Sequence, residues 1–256
     1  MLHVELLTYT PDADKIVAAA AKLCYSKSEI QTLLENLTPE KVEKFLNMLS
    51  ELGHQSPVEH ACFTFGIEGV SRSLLAQITR HRIASFSVQS QRYNDAEGGF
   101  EYVIPPEIEA IPEAKAEYVR AMEEDAKHYD SLRNLLIEHH ARELMDSGME
   151  KEAAYKAAGK MSNEDARFVL PNACTTKMIM TMNVRSLFNF FKLRCCNRAQ
   201  WEIRELAYQM LLLCREAAPN LFRYAGPGCL YGKCPEGAMC CGKTAEVRKK
   251  YGVEKE

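Results

Sequence analysis

The chain lacks any run of about 18 apolar residues, the length a membrane-spanning helix needs. Its first residues, Met1-Leu2-His3-Val4-Glu5, also lack the basic-then-apolar order of a secretory leader. These absences lead to the expectation of a cytoplasmic protein with no membrane partner. Charge of one sign is lacking too. Lys and Arg number 32 against 35 Asp and Glu, for a net −3, so no general attraction to nucleic acid is expected. No Gly-x-Gly-x-x-Gly follows a strand-like run, so a dinucleotide would have to be held by side chains and helix starts rather than by a Rossmann turn. There is no internal repeat and no low-complexity linker. The ten cysteines lack the two-residue spacing of a strong zinc motif. In a cytoplasmic chain they are expected to be reduced thiols or metal ligands rather than disulfides.

What is present is enough apolar sequence for a substantial core, 46% of 256 residues, and a concentrated local positive charge. In residues 80–93, Arg80 and Arg82 bracket His81, seven residues separate that triplet from Ser90, and Arg92 follows two positions later. Guanidinium groups present a rigid fork of donors suited to phosphate and carboxylate. Ser85, Ser87, Gln89, Ser90 and Gln91 add neutral donors and acceptors. The mixture suits a ligand both anionic and heterocyclic, such as a nucleotide; the plain alternative is a solvated polar loop.

Patterning predicts a helix over residues 11–25 and another from Thr38, with Pro39 in its first turn, to Gly53. Residues 61–67 alternate as a half-buried strand. Ser71 is expected to cap a helix that carries Gln77 and Arg80 three apart on one side. From Phe86 to Arg92 a period of two would put Phe86, Val88, Ser90 and Arg92 on one face. Residues 112–147 read as solvated, charged helix. Residues 175–181 read as a strand, with Ile179 on one face and Met178, Met180 and Met182 filling core on the other. Asn183 is expected to cap a helix to Arg194, with Arg185 and Asn189 four apart on one face. Residues 199–217 form a last long helix. Helices flanking a few alternating strands argue for an α+β fold with a small, mostly antiparallel sheet and a helical annex. The expected organisation is one domain over residues 1–225 and a Cys/Gly/Pro-rich tail over 226–256.

The Arg-His-Arg, seven residues, Ser, one residue, Arg pattern resembles the signature of the flavin-dependent thymidylate synthases. Further segments are similar in the same order: residues 53–60 (Gly-His-Gln-Ser-Pro-Val-Glu-His), 77–79, 167–171, 183–189, and 193–203 with its Ala-Gln-Trp-Glu. The resemblance runs from about residue 1 to about residue 225. It implies FAD contacts from His54, Ser56, Arg80, His81, Arg82, Val88, Asn183, Val184, Arg185 and Asn189. It implies dUMP contacts from Gln77, Arg80, Gln89, Ser90, Gln91, Arg92, Arg167 and Arg194, with Arg194 as the catalytic residue. It also implies NADPH and methylenetetrahydrofolate as co-substrates, dTMP as product, and a homotetramer with sites shared between subunits. Physically, a cation held near uracil N3 and O4 favours loss of the N3 proton and makes C5 nucleophilic. Taken alone, Arg194 also reads as an ordinary arginine at a helix C-terminus.

Two residues imitate nucleophiles. Cys174 has no nearby His or Asp in sequence and reads as a buried structural thiol; Ser90 has no evident base and reads as a hydrogen-bonding partner. Two positions depart from the pattern of some family members, Val88 in place of glutamate and Arg198 in place of histidine, which puts a flavin contact at Arg198 in doubt. No metal site is assigned. His139 and His140 are neighbours about 100° apart on a helix, which argues against one shared ion. Cys229, Cys234, Cys240 and Cys241 are spaced for thiols in a loose tail or for four soft ligands, and the spacing leaves both readings open.

Overall fold

The computed structural model describes residues 2–94 and 96–253. In chain order the elements are β1 (His3–Tyr9), α1 (Ala13–Leu23), α2 (Ile30–Glu35), α3 (Pro39–Leu52), β2 (Cys62–Ser71), α4 (Arg72–Ile78) and β3 (Ser85–Val88). There follow α5 (Pro106–Glu109), α6 (Pro112–Asp146), α7 (Lys151–Ala166), β4 (Thr175–Asn183), α8 (Val184–Arg194), α9 (Trp201–Ala217), α10 (Pro219–Phe222) and α11 (Thr244–Lys250). The strands form one antiparallel sheet in the order β1-β2-β4-β3, and the class is α+β as expected.

The chain divides into two compact units. One comprises residues 68–76 and 88–178; the other comprises 2–67, 77–87 and 179–256. The divisions fall inside β2, α4, β3 and β4.

The larger unit is built on the apolar faces of β2 and β4. Phe63, Phe65 and Ile67 on β2, and Met180 and Met182 on β4, are fully or almost fully buried, while Ile179 between the methionines is half exposed. The methionine stripe is therefore core, as its alternation predicts. Leu187, Phe190 and Phe191 of α8 are also buried, and Phe222 of α10 meets Phe63, Phe188 and Phe191 edge to face. Each such aromatic contributes roughly 1.5–3 kcal/mol by burial. Asp14 of α1 accepts from the backbone N–H groups of Asn220 and Leu221 and from the Asn220 amide, fastening α10 to α1. Residues 226–253 belong to this unit; Cys229, Leu230, Val247 and Tyr251 are buried in it.

In the other unit α6 packs along α7. α6 buries only Met122, Tyr129 and Ala141 and is otherwise solvated, as its charge density predicts. Arg133 donates to Glu97 and Asn163, joining α6 to the loop before it and to α7.

Local signals place the caps. Thr38 Oγ1 accepts the Lys41 N–H and Gly53 closes α3 at φ 67°, a left-handed conformation that favours glycine. Ser71 Oγ accepts the Leu74 N–H at 3.0 Å and Asn183 Oδ1 accepts the Ser186 N–H at 2.9 Å. Two expectations are corrected. α4 ends at Ile78, so Arg80 stands in the following turn, its N–H reaching the Gln77 carbonyl, and not on a helix face beside Gln77. β3 ends at Val88; residues 91–93 are a turn, closed by Asn94 N–H to Ser90 O, so Ser90 and Arg92 do not extend the strand face.

Candidate active site

The cationic triplet leaves the end of α4 as a short loop, with the His81 N–H still bonded to the Ile78 carbonyl at 3.1 Å. From the other direction α8 starts at its Asn183 cap and presents Arg185, Asn189 and Lys192. These segments meet at Arg194. Its Nε donates to His81 Nε2 at 3.0 Å and its Nη2 to the Gln77 carbonyl at 3.4 Å. Phe190 lies edge-on to the His81 ring at 5.0 Å. Because His81 accepts at Nε2, it is neutral there; burial first, and the Arg194 charge second, bring it down to about 4. Arg194 is itself lowered, by burial and then by Arg80.

The resulting cleft has a volume of about 890 Å³. Arg80, His81, Arg82, Asn183, Arg185 and Asn189 line it, as does Arg194. Lys192 and Gln55 line it too and were not anticipated; on α8, Lys192 falls three residues past Asn189 and seven past Arg185, a helical spacing that could have signalled it. One carboxylate, Glu59, enters the wall, paired to Arg185. A surplus of guanidinium groups over carboxylates defines an anion site. This donor set fits a flavin dinucleotide, whose diphosphate is anionic and whose ring and ribose offer acceptors.

Other residues implied by the resemblance lie elsewhere. His54 is exposed and lines an adjoining cavity of about 370 Å³ together with Tyr224, Tyr231 and Leu46; Gln55, Phe188 and Lys192 are common to both walls. Ser56 is exposed beside it in sequence. The Val184 side chain is fully buried and its N–H is bonded to the Ala61 carbonyl, so neither is turned to a ligand. Arg198 is tied to Glu236 at 2.9 Å.

Gln89, Ser90, Gln91, Arg92 and Arg167, with Val88, belong to the smaller unit, whereas Gln77, Arg80 and Arg194 belong to the larger. In the smaller unit the turn after β3 is held from both ends. Gln89 N–H donates to the Lys177 carbonyl at 3.0 Å, and Arg72 Nη2 donates to the Gln89 carbonyl at 2.9 Å. Arg92 pairs with the Glu164 carboxylate at 2.6 Å, and Arg167 Nε donates to the Glu164 carbonyl at 3.1 Å. A cleft of about 390 Å³ is bordered by Arg72, Gln89, Ser90, Gln91, Cys174 and Thr176. Arg72 is a third residue that sequence reasoning missed. Its Nε is buried with no hydrogen-bond partner among the described residues, and so is Thr176 Oγ1. A charged residue at the junction of an apolar strand and helix was the available signal.

Cys174 is buried, which pushes its thiol up to about 11 and leaves it protonated at neutral pH. Ser90 Oγ accepts the Arg92 N–H at 3.2 Å, which suits a hydrogen-bonding role. On α6, one atom each of His139, His140 and Glu143 lie within 4.8 Å of one another, closer than the 100° argument allowed, because side-chain rotation brings both rings toward Glu143.

Comparison with known proteins bears on this geometry. Residues 5–220 match the model of the thymidylate synthase complementing protein family. A flavin-dependent thymidylate synthase from Clostridium tetani is 53% identical over 98% of this chain and 97% of its own. One from Geobacter sulfurreducens is 48% identical over 98% of both, and one from Pyrococcus furiosus 38% identical over 98% and 97%.

Proposed function

This chain belongs to the flavin-dependent thymidylate synthase family, and we propose that it reductively methylates dUMP to dTMP, with methylenetetrahydrofolate as carbon donor and NADPH as the source of reducing equivalents. The observation that carries this reading is Arg194, a half-buried cation fixed by the neutral His81 and the Gln77 carbonyl at the edge of an anion-binding cleft.

FAD would be held by Arg80, Arg82, Arg185, Asn183 and Asn189, with His81 in the same wall; His54 and Ser56 are the remaining candidates, Val88 would contribute only backbone groups, and Val184, buried and with its N–H bonded to Ala61, would hold the start of α8 in place. When bound and reduced by NADPH, this cofactor would supply the hydride that completes the methyl group. Arg92, Arg167 and Ser90 would bind the dUMP phosphate, and Gln77, Arg80, Gln89 and Gln91 its sugar and base edges. Arg194 stabilises negative charge at uracil N3 and O4, so that C5 attacks the one-carbon unit without covalent attack by the enzyme. His81, accepting from Arg194 Nε, keeps the guanidinium plane in one orientation. Assembly as a homotetramer with sites shared between subunits, and residence in the cytoplasm, belong to the same reading.

The test is an anaerobic assay of purified protein with FAD, NADPH, dUMP and methylenetetrahydrofolate, following flavin absorbance and dTMP together. Bleaching followed by dTMP formation, lost in Arg194→Ala, supports the reading. Binding of flavin and dUMP with no dTMP in the unaltered protein would overturn it.

A further inference from the structure

The proposed chemistry makes no use of five cysteines carried by three neighbouring segments of the larger unit. Cys196 follows the end of α8, Cys229 and Cys234 lie in the Gly/Pro-rich stretch after α10, and Cys240 and Cys241 precede α11. Gly228 faces Pro235 and the Asn197 amide reaches Cys241 Sγ at 3.7 Å, so Cys229 neighbours Cys234 and Cys196 neighbours Cys241; among the described residues no three of these sulfurs lie within 4.8 Å of one another, so an ion would have to draw them in.

The backbone around these sulfurs is arranged as thiolates require. Cys240 accepts the N–H of Gly242 at 3.4 Å, the amide two residues on turning back to the sulfur. Cys241 accepts from the Asn197 amide at 3.7 Å. Gly242, whose N–H makes this return, takes a φ of 74°, a left-handed conformation that favours glycine. Gly228 permits the two loops to approach, because a Cβ there would lie 2.7 Å from Pro235 Cγ. The loops are also pinned from outside. Arg198 donates to Glu236 and to the Met239 carbonyl; Arg248 donates to the carbonyls of Cys229 and Gly232.

These thiols differ from the packing cysteines of the same unit. Cys195 and Cys214 are buried among apolar side chains, which pushes the Cys195 thiol up to about 12 and Cys214 well above its ordinary value. Cys240 and Cys241 are exposed and Cys234 and Cys196 half-exposed, so packing does not account for them. We propose that Cys229, Cys234 and Cys240, with Cys196 or Cys241 in the fourth position, form a closed thiolate site for a soft divalent cation of the zinc class. Soft sulfur ligands select such ions, and N–H donors to the sulfurs offset thiolate charge. Arg198 and Arg248 supply positive charge beside a site whose four thiolates outweigh the ion. With all four positions taken by protein, the ion is structural: it closes residues 229–241 onto the end of α8 and adds its binding energy to folding.

The experiment uses the full-length protein purified without chelator. Elemental analysis is expected to find about one zinc per chain, and chelation to expose about four further reactive thiols and lower the melting temperature. Replacement by Co²⁺ is expected to give an intense sulfur-to-metal charge-transfer band, a readout that does not depend on any variant folding. Cys234→Ser and Cys240→Ser should lose the ion while Cys24→Ser keeps it, and whichever of Cys196→Ser and Cys241→Ser also loses it identifies the fourth ligand. Metal-free protein with freely titrating thiols, a Cys234–Cys240 disulfide, or an ion retained in the Cys234→Ser/Cys240→Ser double variant would each overturn the proposal.

Discussion

Arg194 donates to two acceptors while burial and the Arg80 charge push its own pKa down. A guanidinium under those conditions gains most from an anionic partner, which is the state of uracil the reaction needs. Arg194→Ala is expected to lower the rate of dTMP formation on the order of 10²–10³-fold, the usual cost of removing one preorganised donor. Arg194→Lys should recover little of this, because an ammonium cannot reproduce the planar fork. Steady-state assay beside dUMP binding checks both. His81 carries a pH signature. Its folded pKa, about 4, lies below the ordinary 6.5, so between those values the unfolded chain binds more protons. Stability therefore rises with pH across that window, and it is lost as pH falls from about 6.5 through about 4. Thermal melts across the window should fall less steeply for His81→Gln than for the unaltered protein; equal slopes would remove this role from His81. Arg92 is different again. Its pair with Glu164 is roughly half exposed at both ends, so it contributes only about 0–1 kcal/mol and leaves Arg92 available to a phosphate.

Elements fix where these residues can stand. α8 carries Arg185, Asn189, Lys192 and Arg194 and begins at one side-chain cap, Asn183. Asn183→Ala is expected to destabilise the protein by about 1 kcal/mol, the typical value of such a cap, and to weaken FAD binding. Asn183→Asp should keep the stability, which chemical denaturation with flavin titration would test. Caps of this kind were legible because they are local: Thr38-Pro39 to Gly53, and Asn183 to Arg194, are each marked by residue types within a few positions. The end of α4 at Ile78 was not legible, since Thr79 and Arg80 contain no breaker and the stop comes from what surrounds them. α7 escaped notice because the side chains it buries, Ala154, Ala158, Ser162, Asn163 and Ala166, are small or polar and leave no apolar stripe. The pairing of Arg194 with His81 spans 113 residues, beyond any periodicity. Arg80, His81 and Arg82 stood out by their concentrated charge, but which ligand each cleft residue would meet could be named only through the family signature, whereas Lys192 had a helical spacing and Arg72 an unusual position to give them away.

For the whole molecule, net charge is −3, yet one cleft holds Arg80, Arg82, Arg185, Lys192 and Arg194 against a single carboxylate, Glu59, that is already paired. Affinity for an anionic ligand there should depend on short-range contacts and fall moderately with salt, without the steep dependence of a polyanion-binding protein. The division of the candidate residues between two units sets a further test. Gln77, Arg80 and Arg194 fall in one unit, Ser90, Arg92 and Arg167 in the other. If each site takes both groups from a single chain, mixing inactive Arg194→Ala protein with inactive Arg92→Ala protein restores nothing. If sites are shared between subunits, random reassembly leaves about a quarter of them with both residues intact. We expect recovery approaching that fraction after the two variants are co-expressed or unfolded and refolded together. No recovery, in mixtures shown by mass spectrometry to contain both chains in one assembly, would confine each site to one chain.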